Sequence, residues 1–233
     1  MAEFINTIDR LGDDAVIDSI IDRTITEFKD DSLVTVGAYA FAYCKALHIV
    51  DLPNLQSVGC QAFYATDALD FLTLPRVTTL ASRAFDYQAA GNQNLVLSLP
   101  SLPETKAYDF WLNMKTLRLD SATKIATNSI RQCRTLKHLY LLSAQTIESS
   151  AFSFSNSIVA LVLGGDVVCT LGSVDTLSST PIGSGTGFIY VPRALVDSYK
   201  AATNWSTYAN QFRALEDYTV DGTITGELDE SKI

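Results

Sequence analysis

The sequence is short of charge, histidine and long apolar runs, and each shortage narrows what the chain can be. Only 18% of its 233 residues are charged, so something other than a dense ionic shell must keep it in solution. What charge there is leans acidic. Lys plus Arg number 17 against 26 Asp plus Glu, for a formal net charge of -9. A duplex-binding surface needs clustered bases, and none is clustered here, so nucleic acid is not an expected partner. No stretch approaches the roughly 18 apolar residues of a membrane span. The longest apolar runs, such as Ile158 to Leu163, are strand-sized. The first residues lack a basic stretch followed by an apolar one, so no signal peptide is visible. The four cysteines, Cys44, Cys60, Cys133 and Cys169, form no Cys-x-x-Cys pair. Neither a redox motif nor a zinc clip is expected, and buried free thiols are.

What the sequence does have is repetition. A small residue followed by a large one recurs as Ala40-Phe41, Ala62-Phe63, Ala84-Phe85, Asp109-Phe110, Ser129-Ile130 and Ala151-Phe152. The steps between these anchors are 22, 22, 25, 20 and 22 residues. A second register follows each anchor. It reads Leu47-x-x-Val50-x-Leu52, then Leu69-x-x-Leu72-x-Leu74, and Asn94-x-x-Leu97-x-Leu99. It continues from Met114, Leu136 and Ile158. Three units then place a proline: Pro53, Pro75 and Pro100. A third register precedes each anchor, as in Leu33/Val36, Leu55/Val58 and Val77/Leu80.

The spacing dictates a structure. Leu-x-Leu has period two, so both side chains point to one side of a short strand. A unit of about 22 residues is too small to bury that side alone, whereas stacked units share one leucine core. Successive strands then pair in parallel, and proline, lacking an N–H, ends each one. The alanine of the anchor permits close approach while the phenylalanine fills the interior. The residue three after the anchor is Cys44, Thr66, Gln88, Asn113, Cys133 or Ser155. It is small or polar each time, as expected where a coil turns inward and its backbone needs a hydrogen-bond partner. The expected fold is a β-rich α/β repeat solenoid, with short parallel strands on one face and helical caps at the ends.

The run Val36-Gly-Ala-Tyr-Ala-Phe-Ala-Tyr-Cys-Lys-Ala-Leu, with Leu52-Pro-Asn-Leu-Gln-Ser-Val-Gly after it, resembles the BspA-type leucine-rich repeat. The resemblance covers roughly residues 32 to 170. It departs from the family pattern in unit four, which lacks the proline and cysteine, and in unit five, where Ile130 replaces phenylalanine. It implies a right-handed leucine-rich-repeat superhelix and an association with adhesion at bacterial surfaces. That would place the chain at a cell surface, outside the cell or on a virion.

The ends differ from the middle. Residues 1–31 hold nine acids against three bases, and 216–233 hold six against one. The stretch between them is nearly neutral, and its bases are spread over all units. Residues 1–31 are expected to form an N-terminal helical cap, with Val16, Ile17, Ile20 and Ile21 on one helical face. A short strand follows around Thr24 to Phe28. Repeats span 32–171, about six units, and 172–187 read as a Gly/Ser/Thr loop. Residues 188–215 should form a strand-helix cap, with Pro192 at the first helical position. Leu195, Val196, Tyr199 and Ala202 would then form its apolar helical face, extended by Trp205, Tyr208, Ala209 and Phe212. Residues 216–233 read as an acidic tail, with local strand structure around Thr219 to Ile224. The stretch from Phe188 to Glu227 is similar to segments that close such repeats in gut Firmicutes and their phages. That similarity implies a phage or prophage structural role as the alternative function.

No chemistry stands out. His48 and His138 occupy different repeat positions, so they should not converge on a metal. No Gly-x-Ser-x-Gly elbow exists. Gly183-Ser-Gly-Thr-Gly187 lacks the phosphate-loop lysine. Asp221-Gly-Thr-Ile-Thr-Gly226 would put Lys232 where a calcium loop needs glutamate. No cofactor is expected, and an enzyme with an unrecognised site is the least favoured reading. What remains is a surface. The residues flanking the central leucine of each strand point outward, and they include Phe71, Arg118, His138 and Tyr140. Aromatic and arginine side chains are the usual anchors of interfaces. The expected function is therefore a non-enzymatic module that binds a protein or glycan through the strand face, centred on those four residues.

Overall fold

A computed structural model describes residues 23–86, 93–220 and 228–232. The helical face expected between Val16 and Ile21, and the ladder position at Gln88, lie outside the described residues. Within them the chain coils. Three-residue strands at Glu27–Lys29, Ile49–Asp51, Phe71–Thr73, Val96–Ser98, Thr116–Arg118, His138–Tyr140 and Ala160–Val162 follow one another, one per coil. All pairing between them is parallel and in register, so that Leu97, Leu117, Leu139 and Leu161 form one row. Phe188–Val191 and Phe212–Ala214 continue the same sheet, which thus has seven strands from Phe71 onward. The first two strands pair separately with each other. The prolines stand just past strand ends, as the missing N–H requires.

The register before each anchor forms strands of its own. Thr35–Val36, Ser57–Val58 and Thr79–Leu80 make one narrow side sheet. Lys124–Ile125, Thr146–Ile147 and Thr170–Leu171 make a second. The side chains aimed inward from all registers build one continuous core, in which most leucines are fully buried. Coils approach closely beside the anchors: a Cβ on Gly59 would meet the backbone of Gly37 and Ala38 at 2.5 Å. That contact explains the Val-Gly element of the motif.

The anchor phenylalanines stack along the axis. Phe41, Phe63, Phe85 and Phe110 follow with centroid spacings of 5.2, 5.5 and 6.1 Å and planes within 16° of parallel. Phe28 closes the column edge-on at 5.0 Å. Ile130 interrupts it before Phe152. Three residues on, the polar ladder works as the repeat requires. Thr66 donates its hydroxyl to the Phe63 carbonyl at 2.9 Å. Ser155 donates to the Ile130 carbonyl at 2.7 Å and accepts from the Cys133 N–H at 3.0 Å.

The coil reverses through left-handed backbone before every anchor and, at four of them, after it as well. Tyr39, Gln61, Arg83, Tyr108, Asn128 and Ser150, each two residues before an anchor, have φ between 51° and 66°. Tyr43, Ala65, Gln132 and Phe154, each two after, do the same. Such conformations cost on the order of 1 kcal/mol for a non-glycine residue. Hydrogen bonds between coils offset the strain: Tyr39 N–H reaches Cys60 O at 3.0 Å, and Tyr43 N–H reaches Tyr64 O at 2.7 Å.

All four cysteines are free. Burial pushes the Cys133 and Cys169 thiols up to about 12. Cys44 is buried as well, and only Cys60 is half-buried. A thiol reagent at pH 8 should therefore titrate one cysteine quickly in the native chain and four in urea. Two or more fast thiols in the native state would contradict this packing.

The C-terminal part differs in detail from its expected form. The 172–187 segment contains a helical turn, Asp175–Ser178, with Thr176 and Leu177 buried. Pro192 precedes the helical residues instead of joining them, because its ψ of 136° is extended. A 3-10 turn, Arg193–Leu195, leads into the helix Val196–Ala201. Phe212 does not extend that helical face. It opens the last strand of the large sheet, paired with Ile189. Tyr199, Trp205 and Phe212 form a buried aromatic trio with centroids 5.4 to 5.9 Å apart. The trio closes on the last coil: Trp205 Nε1 donates to Cys169 O at 2.5 Å, and the Cys169 N–H donates to the Tyr199 hydroxyl at 2.9 Å.

Candidate functional site

The outward face of the large sheet carries a groove of about 690 Å³. Phe71, Arg118, His138 and Tyr140 all line it. The parallel register brings them together: His138 lies beside Thr116, and Tyr140 beside Arg118. Phe71 and Thr73 lie two strands away, across Val96 and Ser98. Each of these side chains flanks an inward leucine, so the alternation of a strand aims it outward.

The four residues are not alike in accessibility. Phe71 is 69% exposed, whereas His138 and Tyr140 are 7% and 5% exposed. The sequence pattern treats Tyr140 as an exposed aromatic, and the structure corrects that. The cause is the C-terminal segment. Residues 215–220 and 228–232 return across the outer face of the last strands. There Tyr140, Ala160, Val162, Tyr190, Leu215 and Leu228 form a second apolar cluster. His138–Tyr140 and Ala160–Val162 are consequently buried on both faces. The segment expected as an acidic tail is thus partly packed, with Leu228 only 3% exposed.

Charge organises the groove. Arg118 Nε donates to Asp120 Oδ2 at 3.0 Å, and its guanidinium lies 5.5 Å from the Tyr140 ring centroid. Lys115 Nζ bonds the Glu230 carboxylate at 2.9 and 3.1 Å. That bond holds the Glu230 carboxyl below the usual range. His138 Nδ1 lies 3.4 Å from the same carboxylate. Burial nevertheless pulls the His138 imidazole below its ordinary value, outweighing the nearby Glu230. The ring therefore meets Glu230 as a neutral group at neutral pH. His48 is exposed and remote in the repeat, with Nδ1 3.0 Å from Ala68 O.

Sequence reasoning missed Lys115, Leu228 and Glu230. The first lies one position outside the strand pattern, and the other two come from a segment with no repeat to place it. A trace was present nonetheless. The unbroken apolar run Ile158 to Leu163 marks a strand buried on both faces, not one with a solvated side.

Among the described residues, no group of three or more His, Cys, Asp or Glu could hold a metal ion. No helix among them is long and apolar enough to cross a membrane. No curated protein matches the chain. A family model described as the BspA type leucine-rich repeat region matches residues 3–90 and 94–168 in six copies. Its span reaches into the first thirty residues, ahead of the first anchor. Repeats of this type build interaction modules and are generally not enzymatic. With most of the chain matched, and with coils, strand rows and phenylalanine column in register, the protein belongs to the BspA-type leucine-rich repeat family.

Proposed function

We propose that the chain is a non-enzymatic recognition module that takes a protein or glycan partner in the groove on its strand face. The observation that carries this reading is the exposed Phe71 ring at the open end of a groove whose other wall holds Arg118 and Tyr140. An aromatic ring left this open contributes nothing to the core, yet it is poised to bury area against a ligand. Aromatic and arginine anchors in one concave site are what interfaces use. In this reading residues 32–171 carry the repeats and 188–215 close one end of the solenoid. The groove belongs to the middle and to the returning segment.

The test is a binding screen of the purified chain against host matrix proteins, mucins and glycans, repeated with Phe71→Ala. The substitution removes an exposed side chain, so stability should change by no more than about 0.5 kcal/mol. Affinity for a genuine partner should fall about tenfold or more, the size of a modest hot spot. A folded Phe71→Ala chain that binds every hit as tightly as before contradicts the reading.

A further inference from the structure

The groove already has an occupant at one end. Leu228 packs against Tyr140 within the second apolar cluster, and its N–H donates to the Tyr140 hydroxyl at 3.3 Å. Two residues on, Glu230 takes the Lys115 ammonium and lies against His138. Between them, Asp229 turns its N–H to the Tyr218 carbonyl at 2.6 Å. One short segment thus puts an aliphatic side chain on an aromatic ring and a carboxylate on an amine. Leu228 sits in a single bridge to Thr219 and Glu230 opens the 3-10 turn Glu230–Lys232, so the two side chains meet the face from a turn. An apolar anchor beside a complementary charge is a recurrent mode of recognition. Without this segment, His138 and Tyr140 would join the outward row that includes Thr116 and Arg118.

We infer that the groove is a receptor site for an acidic peptide carrying an aliphatic residue two positions before a carboxylate, and that residues 228–232 are its built-in competitor. The inference rests on the strand-face reading above and names the partner's chemistry. A neutral glycan would offer Lys115 no counter-charge and would leave the Tyr140 face without an apolar cover. The segment fills only the end of the groove. Phe71, Val96 and Thr116 remain in front of it, so a longer external peptide gains contacts that the segment does not make. A tethered occupant competes at an effective concentration on the order of 1 mM, which weakens a peptide of about 100 µM affinity roughly tenfold.

The experiment uses the full chain and a labelled synthetic peptide copying residues 226–232, with a twin in which alanine replaces the leucine and the second glutamate. Fluorescence anisotropy compares wild type, L228A/E230A, and L228A/E230A carrying Lys115→Ala. The peptide should bind L228A/E230A about tenfold tighter than wild type, the twin should not bind, and Lys115→Ala should abolish the gain. If L228A/E230A does not unfold cooperatively, Glu230→Lys alone carries the same comparison, because that side chain is 59% exposed. No peptide binding to the released variant, or equal binding of the twin, overturns the inference. If Phe71→Ala still weakens a partner from the screen, the strand-face reading survives that failure. A neutral oligosaccharide bound in place of the peptide overturns the peptide assignment and leaves the groove reading standing. A wild-type dimer by light scattering, dissolved by Lys115→Ala, gives the site to a second copy and also overturns it.

Discussion

Phe63→Ala should destabilise the chain by about 3–5 kcal/mol, the range for deleting a buried phenylalanine without collapse of the cavity. The ring is 2% exposed and lies between Phe41 at 5.2 Å and Phe85 at 5.5 Å. Removing it therefore breaks two stacked contacts as well as losing buried area, and such pairs add about 0.5–1.5 kcal/mol each beyond area. The cavity is hard to close. Phe63 N–H bonds Ala84 O, Gly59 lies directly against the Gly37–Ala38 backbone, and Gln61 and Tyr64 are hydrogen-bonded to the coils on either side. Stability of a repeat array is a sum of unit and interface contributions, so a broken interface also lowers cooperativity. Urea unfolding followed by circular dichroism should show a lower midpoint together with a shallower or two-step transition. A loss below about 1 kcal/mol would mean that the phenylalanine column does not couple the coils.

Asp109→Ala should have the opposite sign. Five of the six anchors carry Ala or Ser before the large residue, and the fourth carries Asp109. It is 1% exposed. Its Oδ2 accepts the Lys106 N–H at 2.5 Å, while Oδ1 is buried with no partner. Burial pushes its carboxyl up from 3.8 to about 7. Between those values the folded chain holds a proton that the unfolded chain has released, so stability falls as pH rises through that window. Below about pH 4 both states are protonated and the penalty is absent; above about pH 7 it is complete. At 1.36 kcal/mol per pH unit the full penalty is on the order of 4 kcal/mol. Alanine removes it but strands the Lys106 N–H, at a cost of about 1 kcal/mol. Asp109→Ala should therefore stabilise the chain by about 3 kcal/mol at pH 8, with the gain gone by pH 4. Thermal melts of both proteins across that range test it. A pH-independent difference would show that the Asp109 carboxyl titrates alike in the folded and unfolded chain, which contradicts this account.

The repeating part of this molecule was legible because three registers recur across six units. Leu97, Leu117, Leu139 and Leu161 are aligned by spacing alone, and the structure puts them in one row. The rule that flanking residues face outward placed Phe71, Arg118, His138 and Tyr140 on one surface, and they line one groove. What spacing could not supply is the far end of the chain. A segment used once has no register, so nothing in Leu228 or Glu230 announces a strand to pair with or a lysine to meet. Local periodicity also misread Phe212. Its spacing from Tyr208 fits a helix, yet the row of unpaired groups on the strand Phe188–Val191 captures it as a neighbour. The left-handed turns were equally hidden, since Tyr39, Arg83 and Phe154 are residues that ordinarily avoid such backbone.

The central claim is that recognition happens on the strand face. Hydrogen exchange of the full chain, with and without a partner taken from the screen, tests it most directly. The expected footprint is protection across Phe71–Thr73, Val96–Ser98, Thr116–Arg118 and His138–Tyr140, with the turns around Tyr39, Tyr108 and Phe154 unchanged. Protection confined to those turns, or to the aromatic cap at Tyr199 and Trp205, with the four strands unaffected, would contradict the account.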